Sequence, residues 1–126
     1  MKQAIMSTEE IANRYCELAK ENKWPEMLNE LCSQHLVNKE PEHVVARSIQ
    51  PTTAGLNAVK AKGETNRKMI EEIHSQQCSA PLVAGNFFTV TLKRDITFKG
   101  RPRVTLEEIA LFEIKEGKII SEQFFY

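Results

Sequence analysis

Residues 106–126, LEEIALFEIKEGKIISEQFFY, decide the fold that the sequence predicts. Two runs of alternating side chains flank the dipeptide Glu116-Gly117, and an acid followed by glycine is typical of a tight hairpin turn that needs positive φ. The stretch therefore predicts two antiparallel strands, at 103–115 and 118–126. The second strand is apolar on both faces, which is typical of a strand inside a sheet rather than at a solvated edge.

The period-two pattern continues upstream of this hairpin as far as Lys68. It predicts two further strands at 69–78 and 83–98, which Ala80-Pro81 separates. The turn at 99–102, Lys-Gly-Arg-Pro, leads from the second of these into the hairpin. We therefore expect the last three strands to be sequential in the sheet and antiparallel.

The N-terminal part carries helical signals instead. Ser7-Thr8-Glu9-Glu10 is a capping box, and it opens an amphipathic helix that should end near Asn22. Trp24-Pro25 predicts a second, short helix, because proline costs nothing at the first helical position. Pro51-Thr52-Thr53 predicts a third helix that fades around Gly63.

Helices that precede strands indicate an α+β fold rather than alternating β and α units. A short extended segment is expected at 34–38, between the second and third helices. The chain has 126 residues, which predicts one domain over 1–126 whose single core needs neither metal nor disulfide.

Composition argues against several classes of function. The 17 basic and 17 acidic residues give no net charge, so nucleic-acid binding is not expected. No apolar stretch is long enough to span a membrane, and MKQAIMSTEE at the start lacks the apolar region of a secretory signal. The three cysteines are widely spaced, without a CxxC pair, and predict reduced, buried thiols in a cytoplasmic protein: Cys16, Cys32 and Cys78. The histidines and acids between His35 and His43 match no zinc motif, so neither a metal nor a cofactor is expected.

Glu108 stands out among the acids. On its strand it shares a face with four apolar residues, Leu106, Ala110, Phe112 and Ile114. A carboxylate in such surroundings must be desolvated, hydrogen-bonded or protonated. Desolvation would raise its pKa and make it a usable general base or acid near neutral pH. A buried hydrogen bond or a place at the sheet rim would explain the same position without catalysis.

Other candidates for a pocket lie elsewhere in the chain. His74 could orient a carboxylate, donate to a ligand carbonyl or shuttle a proton, although a lone histidine is often only a hydrogen-bonded structural residue. Glu40 precedes a proline and is therefore extended, a setting that suits a pocket acid or a surface acid. Arg94 could bind a ligand anion or pair with an acid on a neighbouring strand. Four aromatic residues could wall a pocket or fill the core: Tyr15, Trp24, Phe88 and Phe112.

The last strand predicts how the sheet is covered. One face carries Ile120, Glu122, Phe124 and Tyr126, and the other carries Ile119, Ser121, Gln123 and Phe125. Both faces are apolar, while the helices suffice to cover only one, which predicts a homodimer through the sheet. The alternation leaves open whether Glu122 or Gln123 points into a pocket, and we favour Gln123 as the residue at the rim or the partner.

The order of elements resembles that of the nuclear transport factor 2-like, or SnoaL-like, superfamily. The resemblance runs from Thr8 to Tyr126, and its most specific parts are LVNKEPE, GLNAVKAKGE and the closing LEEIALFEIKEGKIISEQFFY, which look like those of small bacterial SnoaL-like proteins. It implies a strongly curved antiparallel sheet wrapped as a cone round three helices of the N-terminal half. It also implies a mostly apolar pocket at the open end of the cone and frequent dimers through the sheet.

The superfamily includes ketosteroid isomerases, polyketide cyclases, dehydratases and non-catalytic binding or association modules. Its isomerases and cyclases use an inward carboxylate to take a proton beside a carbonyl, with a donor that stabilises the enolate. The resemblance therefore implies Glu108 as base, His74 as acid or donor and Glu40 as a polar wall. It also implies that Glu122 and Tyr126 join the four aromatics around a small hydrophobic carbonyl compound.

The resemblance does not single out one activity. The isomerase set of a catalytic aspartate with a tyrosine and a protonated aspartate has no clear match, since the only strand aspartate is Asp95, among charges. Steroid isomerisation is therefore not expected. A non-catalytic ligand-binding dimer and a purely structural association domain remain alternatives to an enzyme.

Overall fold

The computed structural model describes residues 5–126. Residues 1–4, part of the N-terminal stretch interpreted above as lacking a secretory signal, lie outside that range. Helix α1, Thr8–Lys20, begins at the predicted capping box: the amide of Glu10 donates to the Ser7 hydroxyl over 3.1 Å, and the Ser7 amide donates to the Glu10 carboxylate over 2.9 Å. Helix α2, Trp24–Leu31, follows, with Pro25 in its first turn. No helix of residues 5–126 is long and apolar enough to cross a membrane.

Over the described residues, seven strands form one curved, unclosed sheet. They are β1 Cys32–Lys39, β2 Thr52–Ala54, β3 Ile70–Cys78, β4 Leu82–Ala84, β5 Phe87–Phe98, β6 Val104–Lys115 and β7 Lys118–Phe125. The order is β2-β1-β7-β6-β5-β3, and β4 pairs with the start of β5. All pairings are antiparallel except that of β1 with β7, which is parallel. The predicted α+β class is confirmed, and β7 lies inside the sheet as expected.

Two predicted elements are wrong in detail. The third helix, α3 Leu56–Lys68, begins only after Gly55 and runs through Gly63 instead of fading there. Residues 52–54, expected to open it, pair with β1 as strand β2, and the Glu40 amide donates to the Pro51 carbonyl beside that pairing. A 3₁₀ helix, Glu42–Arg47, occupies the preceding loop.

The second error concerns the strand predicted at 83–98. It is a hairpin of β4 and β5, which turns at Gly85-Asn86, where Gly85 has a φ of 59°. Glycine adopts this left-handed conformation without steric cost, so the chain can reverse inside an otherwise strand-like stretch. The predicted turn at Glu116-Gly117 has the positive φ at both central residues that a type I′ hairpin requires.

The core lies between the helices and one face of the sheet, called the inner face below. Tyr15 of α1 contacts Phe112 of β6 at 4.6 Å between ring centroids, and Phe112 stacks on Phe88 of β5 at 4.5 Å. Side chains of even number on β5 and β6 point to this face, and those of odd number point to the opposite, outer face. The outer face leaves Ile109, Leu111 and Phe125 exposed.

Candidate active site

Three carboxylates converge on the inner face from neighbouring strands. Glu122 lies on β7, Glu108 on β6, and Glu40 directly follows β1. Glu122 is the most enclosed, with 4% of its surface exposed, and its carboxylate accepts a hydrogen bond from the Asn38 amide over 3.0 Å. Burial raises the pKa of Glu122 to about 7, although the bond from Asn38 lowers it. The strand alternation left the inward residue of β7 open, and the structure shows that it is Glu122.

Asn38 connects Glu122 to a cation. Its side-chain oxygen accepts from Lys62 Nζ of α3 over 2.8 Å, and Lys62 also donates to the Gln50 carbonyl over 3.2 Å. Desolvation lowers the pKa of Lys62. The sequence analysis missed this pair. The available signal was Asn38 itself, since it shares the inner face of β1 with the buried Leu36.

Glu108 is the carboxylate best placed to react. It is partly buried on the inner face of β6, and no residue in 5–126 makes a hydrogen bond to it. Burial raises its pKa to about 7, the nearby Glu40 raises it further, and Arg94 lowers it. A carboxylate in this state changes its protonation near neutral pH, as a general base or acid must.

Tyr126 and Glu40 form the rim of the site. The Tyr126 hydroxyl donates to the Glu40 carboxylate over 2.8 Å, and His43 Nε2 lies 2.8 Å from the main-chain oxygen of Tyr126. Burial, and then the bond to Glu40, raises the pKa of the Tyr126 hydroxyl. The negative charge of Glu108 also raises the pKa of the Tyr126 hydroxyl through space.

Two of the predicted aromatics cover the site from the helices. The Tyr15 ring is fully buried, and its hydroxyl has no hydrogen-bond partner among the described residues. Its pKa is raised mainly by burial, and Glu122 and Glu108 add to the rise through space. Trp24 packs edge-on against Tyr15 at 6.0 Å. Phe88 and Phe112 instead belong to the core stack beneath Tyr15.

His74 does not join this group. The alternation of β3 shifts between Ile73 and Ser75, where the pairing with β5 is irregular. His74 therefore points to the outer face, where its Nε2 lies 2.8 Å from the Thr97 hydroxyl and its Nδ1 lies 3.6 Å from Glu72. The expected pairing of Glu108 with His74 needs both on one face, and the irregularity places them on opposite faces.

A groove of about 550 Å³ runs along the outer face, and Glu108 is one of the residues that line it. Outward side chains of four strands line most of it: Gln77, Thr91, Lys93, Glu107, Ile109 and Phe125. The lining residues of β5 and β6 lie side by side in the sheet, because Lys93 pairs with Glu107 and Thr91 pairs with Ile109. The groove therefore belongs mainly to the uncovered face, and Glu108 is the residue that it shares with the candidate active site.

Comparisons with known proteins place the chain in a family. A family model for the SnoaL-like domain matches residues 6–126, whereas no curated protein matches. A solved structure of a candidate SnoaL-like polyketide cyclase from Mesorhizobium loti is 27% identical, with a TM-score of 0.86, and the match covers 96% of this chain and 100% of that one.

Two more distant structures share the fold. TerC, co-crystallised with polyporic acid, is 13% identical with a TM-score of 0.78, and the match covers 95% of this chain and 92% of that one. A protein from Catenulispora acidiphila DSM 44928 with a ketosteroid isomerase-like fold, in complex with trimethylamine, is 17% identical with a TM-score of 0.73, and the match covers 95% and 87%. The predicted resemblance is thus confirmed, and because the family model covers nearly the whole chain, this protein belongs to the SnoaL-like domain family.

Proposed function

We propose that this protein binds a small hydrophobic carbonyl compound on the inner face of its sheet and catalyses a proton transfer on it without a cofactor. Isomerisation, cyclisation and dehydration all begin with such a step. The observation that carries the proposal is Glu108, a partly buried carboxylate without a hydrogen-bond partner in 5–126, whose pKa is raised to about 7. Membership of the SnoaL-like family supports a pocket for a small molecule.

The neighbours of Glu108 suit this chemistry. The carboxylate would take a proton from the carbon next to the carbonyl, and negative charge would develop on the carbonyl oxygen. A hydroxyl that donates to this oxygen stabilises the enolate. Tyr15 fits that role in place of His74, because its buried hydroxyl has no partner in the described residues and its ring contacts Phe112, which shares the inner face of β6 with Glu108. The wall of the ligand pocket would be completed by Glu40, Tyr126 and Trp24.

Exchange of acidic protons for deuterium tests the proposal without knowledge of the natural substrate. The probe is 2-tetralone in D₂O, with exchange at the carbon next to the carbonyl followed by proton NMR. We expect the protein to accelerate exchange and Glu108→Gln to lose about 100-fold of that acceleration. Since Glu108 acts as a base only when ionised, the rate should rise with pH and reach half its maximum near the pKa of about 7.

Glu107→Gln is the matched control, because Glu107 is the adjacent acid of β6 and points to the outer face. It should exchange like the original protein, and circular dichroism should show both variants folded. If Glu108→Gln exchanged as fast as the original protein, Glu108 would not be the base.

A non-catalytic ligand-binding protein is the second candidate. It is favoured by the structural neighbours that were solved with polyporic acid and with trimethylamine, since both hold small molecules. Such a protein would bind 2-tetralone without accelerating exchange. The Glu122–Asn38–Lys62 chain would then serve to hold the pocket in shape.

The uncovered outer face supports two further proposals. We propose that the protein forms a homodimer through this face, because it exposes Ile109, Leu111 and Phe125 while the helices cover the other face. We also propose a cytoplasmic location, because all three cysteines are free thiols, which suits a reducing compartment.

A further inference from the structure

A cluster of hydrogen-bond donors lies beside Glu108 without acceptors to match it. The cluster consists of Arg94 of β5, Gln76 of β3, Trp24 of α2 and Tyr15 of α1. Arg94 Nε donates to the Gln76 side-chain oxygen over 3.0 Å, and the guanidinium lies 6.0 Å from the centre of the Trp24 ring. Three donor atoms of the cluster are buried and have no partner among residues 5–126: Gln76 Nε2, Trp24 Nε1 and the Tyr15 hydroxyl oxygen.

The chemistry of these atoms points to one kind of partner. The indole N–H and the amide NH₂ can only donate, and a guanidinium has no acceptor either. A buried donor without an acceptor costs about 1–3 kcal/mol, so native structures rarely leave several in one place. A group with several acceptor oxygens would satisfy these donors together.

The positive charge of Arg94 favours a ligand group that is negatively charged. Other arginines of this protein bind carboxylates directly, with Arg14 at 2.6 Å from Glu30 and Arg103 at 2.6 Å from Asp95. Arg94 makes no such ion pair within 5–126, because it faces inward at the register of Gln76 and Leu106, both uncharged. Desolvation lowers the pKa of Arg94, and Glu108 partly offsets this through space. From the sequence, Arg94 could either pair with an acid on a neighbouring strand or bind an anionic ligand. The geometry favours the anionic ligand.

We infer that Arg94, Gln76 and Trp24 form a subsite for a carboxylate carried by the ligand. The inference rests on the proposed function and refines its substrate class to small hydrophobic carbonyl compounds that bear a carboxylate. A guanidinium binds a carboxylate through two parallel hydrogen bonds, and the indole N–H and the Gln76 amide supply further donors. Tyr15 and Glu108 remain free for the reacting carbonyl on the neighbouring row of the sheet.

Binding of two probes of nearly equal shape tests the subsite. The probes are 2-naphthoate, an anion at pH 7.5, and 2-naphthamide, its neutral counterpart, titrated by NMR. We expect the protein to prefer 2-naphthoate by about tenfold or more, which corresponds to about 1.4 kcal/mol. Arg94→Met should remove this preference and leave the affinity for 2-naphthamide unchanged. Arg101→Met, at an exposed arginine in the turn after β5, is the matched control and should keep the preference.

A second variant keeps the test valid if Arg94→Met fails to fold. Gln76→Glu places a carboxylate beside Arg94 and should abolish the preference for 2-naphthoate while the fold is retained. Equal binding of both probes by the original protein, no binding of 2-naphthoate at millimolar concentration, or equal weakening of both probes in Arg94→Met would overturn the subsite.

The two proposals fail separately. Exchange of 2-tetralone without a preference for 2-naphthoate would remove the subsite and leave the catalytic proposal standing. An Arg94-dependent preference for 2-naphthoate without exchange of 2-tetralone would establish the subsite and remove Glu108 as a base for that ketone.

Discussion

Glu122 shows how a single inward carboxylate can be accommodated in an apolar core. Its Asn38 partner offers the amide N–H to the carboxylate and the amide oxygen to Lys62. The cation therefore acts on the carboxylate through an uncharged group, and burial still raises the pKa of Glu122 to about 7. A buried carboxyl group of this kind costs least when it is protonated.

The first prediction concerns the pH dependence of stability. The folded-state pKa of Glu122, about 7, exceeds its ordinary value of 4.5, so the folded protein holds this proton more tightly. The resulting stabilisation is fully present below pH 4.5 and is lost as the pH rises through 7. Glu122→Gln cannot titrate and can still accept from Asn38. We therefore expect its stability relative to the original protein to increase between pH 5 and pH 8, by at most about 3 kcal/mol.

Urea unfolding at several pH values measures this difference. Glu107→Gln, at an exposed glutamate, serves as the control and should follow the original protein across the range. A constant difference between Glu122→Gln and the original protein from pH 5 to pH 8 would mean that Glu122 does not titrate in this window.

The sequence could identify some of these residues and not others, for physical reasons. Glu108 stands out because its apolar face-mates are two residues away on the same strand. Asn38 and Glu122 meet only because β1 pairs with β7, 84 residues further along the chain. His74 was misplaced because an irregularity between Ile73 and Ser75 shifts the faces of β3, and period-two alternation cannot report such a shift.

At the scale of elements, too, features set by neighbouring residues are predictable from the sequence, whereas features set by distant strand pairing are not. The strands and the turn of the β6–β7 hairpin were predicted correctly because they lie within one stretch of sequence. The alternation put Ile119 opposite Glu122, whereas a register shift between Glu113 and Ile114 leaves both residues buried on the inner side. The β4–β5 hairpin was not predicted, because Gly85-Asn86 interrupts a run that otherwise reads as one strand. The sequence predicts the start of a helix where strand β2 lies, because three residues carry no sign of the pairing with β1.

Replacing each of two glycines by alanine tests these element boundaries, because the two variants should change the stability of the protein in opposite directions. Gly85→Ala should destabilise the protein by about 1–2 kcal/mol, because alanine is strained at the φ of 59° while its Cβ would meet no atom within 4 Å. Gly63→Ala should stabilise it by roughly 0.5–1 kcal/mol, because Gly63 lies inside α3 and its nearest contact would be the flexible Arg67 side chain at 3.4 Å. Urea unfolding of both variants measures the two effects. A loss of stability in Gly63→Ala would argue that the helix ends near residue 63, as the sequence suggested.

At the scale of the whole molecule, the two faces of the sheet differ in how they are covered. Helices α1 and α2 pack on the inner face, where the candidate active site lies, whereas the outer face leaves Ile109, Leu111 and Phe125 exposed. A second copy on the outer face would cover Ile109, Leu111 and Phe125 and would leave the inward Glu122 and its Asn38 partner in place. Catalysis and association would then be separable by mutation.

The last prediction tests that separation. Ile109 is 51% exposed, so Ile109→Asp should leave the fold intact, while the new carboxylates would be buried close together in a dimer through this face. We expect light scattering to give the mass of two chains for the original protein and of one chain for Ile109→Asp. Val45→Asp, at a similarly exposed residue of the 3₁₀ helix, should remain dimeric. A single-chain mass for the original protein at micromolar concentration would refute the dimer. A two-chain mass for Ile109→Asp would place the interface elsewhere, and unchanged exchange of 2-tetralone by a monomeric Ile109→Asp would show that the inner face works within one chain.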